Sequence, residues 1–119
     1  MELLEISEKI TNKIEQLTHF RDELDKSVEK KAESISNYEK TLAKTIISLR
    51  HGEEYELDGK KIVNPPVSII ERVARGICFK ELLEKDMAET TYKNLIIKIN
   101  LTEAQLNGWQ SVFRYQKEV

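Results

Sequence analysis

The chain has two imidazoles, His19 and His51, and one thiol, Cys78. Nucleophilic catalysis needs a thiol or hydroxyl next to a base, with a third group orienting that base. His51 is the base that could serve Cys78, but neither the spacing nor any nameable third residue supports the pair. The other reading of Cys78, set between Ile77 and Phe79, is a small buried hydrophobe. His19 falls on the outer part of a helix, with no second histidine at metal spacing and no His-Glu-x-x-His run. No Glu-x-x-His pair points to a di-iron bundle. A single cysteine leaves no intrachain disulfide and no multi-cysteine zinc site. Glu53-Glu54, Glu84 and Asp86 read as solvated faces, and no glycine-rich phosphate loop is present. The residues therefore point to a non-enzymatic protein, with no catalytic residue, no metal ligand and no cofactor to name.

Two other groups could make contacts. Lys60 and Lys61, with Arg72 and Arg75, could form a local basic patch able to hold nucleic acid, but acidic residues stand near each of them. The whole chain carries a net charge of −2, with 19 basic against 21 acidic residues. That balance gives no general affinity for phosphate backbones. The second group is aromatic. Trp109 and Phe113 lie one helical turn apart, with Val112 and Tyr115 close by. One reading packs Trp109 and Phe113 against the start of the chain, near Leu3, Ile6 and Ile10. The other makes them anchors for a partner protein.

The elements that must carry these residues are helical. Charged residues make up 34% and hydrophobic residues 39% of 119 positions, with four glycines and two prolines. That is too little turn material for a β-sandwich or a doubly wound α/β fold. Residues 2–50 hold no glycine or proline. Their apolar residues follow a heptad with two rows. One is Leu3, Ile10, Leu17, Leu24, Lys31, Tyr38 and Thr45; the other is Ser7, Ile14, Arg21, Val28, Ile35, Leu42 and Leu49. Such a helix of about 48 residues would run roughly 70 Å. Arg21 and Lys31 interrupt the seam, either by laying their stems along it or by fixing register.

Gly52 stops this helix. Asp58-Gly59 is the dipeptide of a type I′ hairpin turn, which predicts short strands over 54–57 and 60–63. Asn64-Pro65-Pro66 breaks the chain. Ser68 and Glu71 match a capping box at the start of a short helix; with Pro66 in its first turn, the start moves by two residues. Gly76 is the C-cap of that helix or a bend into the next. From Ile77 to about Lys117 a second long helix carries the seam Ala88, Tyr92, Leu95, Ile99, Thr102, Leu106, Trp109 and Phe113. Thr102 and Gln105 would also fit a helix start, but the seam runs through them without a phase change.

The expected fold is all-α and a single domain over 1–119. It is an antiparallel hairpin of two long helices (1–50 and 77–117), with a linker over 51–66, its small β-hairpin and a short helix over 67–76. A second apolar stripe stays uncovered on both long helices: Leu4, Ile6, Phe20, Ile46 and Ile47 on the first, Ile96, Ile97, Val112 and Tyr115 on the second. Helices apolar on more than one face call for a further partner, so a homo-oligomer is expected, most simply a dimer of four helices. No apolar run reaches the roughly 20 residues a membrane span needs, and no leader pattern opens the chain, which places it in a cytoplasm.

The later half also carries a resemblance. Ala74-Arg75-Gly76, then Asp86-Met87-Ala88-Glu89 with Tyr92-Lys93, then Leu106-Asn107-Gly108-Trp109-Gln110-Ser111 with Arg114-Tyr115, resemble a family of small helical proteins of tailed phages and prophages of Gram-positive bacteria. The resemblance brings no catalytic residues. It implies a phage accessory protein in the host cytoplasm, binding replication or recombination machinery or blocking a host defence protein.

Overall fold

The structure is a computed structural model that describes residues 1–118. Helix α1 runs Leu3–Arg50, strands β1 and β2 run Tyr55–Leu57 and Lys60–Ile62, helix α2 runs Ile70–Ile77, and helix α3 runs Phe79–Glu118. The fold is the all-α antiparallel hairpin of two long helices, with the short helix and the two-stranded sheet between them. The chain divides into two compact units. One joins Met1–Val28 to α3 from Thr91 onward, and the other is Glu29–Thr90.

In the first unit α1 and α3 meet along the predicted seam. Ile6 and Leu17 are buried from α1, and Leu95, Ile99 and Thr102 from α3. Burying an isoleucine or leucine side chain fully is worth about 1.5–3 kcal/mol, so these few positions hold much of the pairing. Buried hydroxyls would oppose this if they lacked partners, but each bonds back along its own helix. Ser27 donates to the Leu24 carbonyl at 2.8 Å, and Thr102 to the Lys98 carbonyl at 2.7 Å. Thr102 therefore starts no new helix, and α3 continues through Asn100 unbroken.

The α3 seam holds as written, but the second row of α1 does not. Ser7, Ile14, Arg21 and Val28 face solvent, and their places are taken by Ile6, Lys13, Phe20 and Ser27. Buried positions recur at eleven residues, as from Ile6 to Leu17 and from Tyr38 to Leu49. Eleven residues in three turns is 3.67 per turn, close to an undistorted helix, whereas a strict heptad requires 3.5. The contact face of α1 therefore advances around the helix. It uses the row three residues on near the N-terminus and the row four residues on by Leu42 and Leu49. Ile6 and Phe20, expected on the uncovered stripe, turn inward for the same reason.

The second unit has its own core. Leu49, Ile70 and Ala74 pack together, with Leu42, Ile46, Tyr55, Ile62, Val73 and Ile77 around them. Ile46, too, is covered here instead of lying on an open stripe. α1 ends in a Schellman motif: the Gly52 N–H donates to the Leu49 carbonyl, and the Glu53 N–H to the Ser48 carbonyl. Gly52 has φ +82°, and a Cβ there would lie 3.1 Å from the Asn64 side chain.

Asp58 and Gly59 both have positive φ, as a type I′ turn requires. The strands pair Tyr55 with Ile62 and Leu57 with Lys60. So short a hairpin is marginal alone, and it leans on α2. A Cβ at Gly76 would sit 3.2 Å from the Leu57 methyl, so that glycine lies inside α2 as a close-approach site, not at its C-cap. Ser68 makes no capping bond either. Pro66 leads into a 3₁₀ turn over Val67–Ile69, and α2 follows from Ile70.

Candidate protein-binding surfaces

Cys78, His19 and His51 have separate surroundings. Cys78 is buried, with its sulfur 3.3 Å from the Thr45 hydroxyl. His19 lies against Glu23, one turn along the same helix, at 2.7 Å. His51 is exposed in the turn after α1. No group of three or more metal-ligating side chains occurs among the described residues.

Two of the four basic candidates stand against carboxylates. Arg75 pairs with Glu71 at 2.6 Å, and Lys61 Nζ lies 3.6 Å from a Glu54 oxygen. Lys60 and Arg72 are exposed. A shallow groove of about 400 Å³ in the same unit is lined by Tyr38, Leu42 and Leu82 together with Glu39, Glu71, Arg75 and Lys85. The Lys85 ammonium stands 5.3 Å from the Tyr38 ring centre. Two acids face two bases there, so the groove offers no net charge to an anion or a cation.

The aromatic candidates divide. Trp109 and Phe113 are half-buried on the seam. Trp109 borders a groove of about 310 Å³ lined by Lys9, Asn12, Lys13 and Gln16, so its α1 neighbours there are polar. Phe20 is half-buried, with Lys98 of α3 5.9 Å from its ring centre. Arg21 bridges to Glu103 at 3.0 Å on the rim of the contact, with both side chains largely exposed. Such a pair contributes at most about 1 kcal/mol. Ile96 is half-buried, whereas Ile97, Val112 and Tyr115 are exposed.

The exposed apolar residues are the distinctive feature. In the second unit, α3 opens with Phe79, Leu83 and Met87, one turn apart and each more than half exposed. They precede Ala88, where the seam of the second long helix begins. The spacing of four held the signal, because Ala88, not Met87, continues in phase with Leu95 and Ile99. In the first unit α3 turns Ile97, Leu101, Val112 and Tyr115 outward, on the side opposite Leu95, Ile99 and Thr102. Leu101 stands between polar Asn100 and Thr102, so no apolar run marks it in the sequence. A helix with apolar residues on two opposite faces covers one of them internally and leaves the other exposed.

Compared with known proteins, the chain matches no protein family, no curated protein and no solved structure. No helix among the described residues is long and apolar enough to cross a membrane.

Proposed function

We propose that this chain is a non-enzymatic accessory protein of a phage or prophage, acting in the bacterial cytoplasm by binding another protein. The observation that carries the binding reading is Phe79-Leu83-Met87. Three large apolar side chains stand exposed at steps of one helical turn. A row of this kind is how a helix anchors itself in an apolar groove. Aromatic and methionine side chains are also favoured at such contacts. The phage setting rests on the resemblance of the later half, and it suggests a component of replication or recombination machinery, or a host defence protein, as the partner.

The test is retention of a partner from a Gram-positive host lysate. The wild-type chain is expected to retain a protein that Leu83→Glu and Met87→Glu variants of unchanged helix content do not. Equal retention by wild type and variants would overturn the role of this row. Nucleic-acid binding has less support, since two of its four cations already hold carboxylates.

A further inference from the structure

We infer that a second copy of this chain covers the outer face of α3 between Ile97 and Tyr115, through an antiparallel crossing at Ala104 and Gly108. This deepens the protein-binding reading above by naming one partner and its surface. The face consists of Ile97, Leu101, Ala104, Gly108, Val112 and Tyr115, spaced four, three, four, four and three residues apart, and all are exposed. Asn94, Gln105 and Ser111 flank it, and Lys93 and Lys98 border only its Ile97 end. None of the six residues of the face is charged, in a chain that is 34% charged.

Charge absence selects the occupant. In a two-fold dimer each patch meets itself, so a charge near the axis faces its own copy. Like charges opposed across a contact are costly. A neutral face is complementary to itself. The order of side-chain sizes agrees. Large residues flank a small centre on both sides, with Ile97 and Leu101 before Ala104-x-x-x-Gly108, and Val112 and Tyr115 after it. Turned head to tail about that centre, the pattern returns on itself. Ile97 and Leu101 of one copy then meet Tyr115 and Val112 of the other.

Gly108 is an independent sign. Glycine inside a helix lowers its stability relative to alanine. Gly76 has a reason within the chain, because Leu57 crowds it. Gly108 has none: a Cβ there would meet no other part of the described chain within 4 Å. A neighbouring helix backbone coming close to this position supplies the missing reason.

The experiment is light scattering and sedimentation of the full chain, with circular dichroism to verify helix content. Wild type is expected to be a dimer, and Leu101→Glu and Gly108→Leu to be helical monomers. Gly108→Ala should melt higher than wild type when both are dilute monomers, yet dissociate at roughly tenfold higher concentration, about one 1.4 kcal/mol step. A wild-type monomer would overturn the inference, as would a dimer that Leu101→Glu leaves intact or that Gly108→Ala tightens. Leu83→Glu keeps the two proposals apart. It should leave the dimer whole, so loss of the lysate partner with the dimer retained supports both, and a retained partner sinks only the row at Phe79-Leu83-Met87.

Discussion

Ile6 and Ile14 show what decides a residue's weight here. Both are isoleucines on α1, eight positions apart; Ile6 is fully buried and Ile14 about half exposed. Replacing Ile6 with alanine empties a packed site and should lower unfolding free energy by about 2–4 kcal/mol in urea titration. The same change at Ile14 should cost less than about 1 kcal/mol, since half of its surface already contacts water. A heptad written from Leu3 had set Ile14 on the seam and Ile6 off it. Sequence pattern identified a helix with an apolar face, but it could not show how far that face turns over 48 residues. The turn depends on whether the helix stays near 3.6 residues per turn or tightens to 3.5, a property of the packed pair. The seam of α3 was legible because its steps of four and three run from Ala88 to Phe113 without a phase change, even though Ile96, Ile97 and Leu101 stand beside it.

At the scale of elements, the punctuation between α1 and α2 is the most constrained part of the chain. Gly52 adopts a left-handed conformation to close the Schellman motif, with the Asn64 side chain against it. Gly52→Ala should therefore cost about 1–2 kcal/mol from backbone strain alone, read as a lowered urea midpoint with an unchanged slope. The turn residues Gly52, Asp58 and Gly59 were legible in the sequence because each dipeptide there has few backbone options. Ser68 and Glu71 were not. A capping box is a pattern of side-chain types, and Pro65-Pro66 dictated a 3₁₀ entry that left Ser68 without a bond to make. The β-hairpin was recognisable too, but its support against Gly76 of α2 is a tertiary fact that no local pattern contains.

For the whole molecule, the proposed binding function rests on what the helices leave uncovered. The exposed row at Phe79, Leu83 and Met87 and the neutral face from Ile97 to Tyr115 both belong to α3. They were only partly legible: Ile97, Val112 and Tyr115 stand out as apolar beyond the seam, Phe79, Leu83 and Met87 read as its loose beginning, and Leu101, between Asn100 and Thr102, belongs to neither pattern. The basic residues should contribute little. With Arg75 and Lys61 paired to carboxylates and a net charge of −2, no shift of single- or double-stranded DNA is expected in a gel, even at low salt. A salt-sensitive shift lost in Lys60→Ala and Arg72→Ala would reverse that view. The central claim is that another copy covers the outer face of α3, and thermal unfolding against protein concentration tests it most directly. A dimer gains about 1.4 kcal/mol for each tenfold rise in concentration, so its melting temperature should climb by several degrees. A melting temperature that stays fixed across that range would contradict the account.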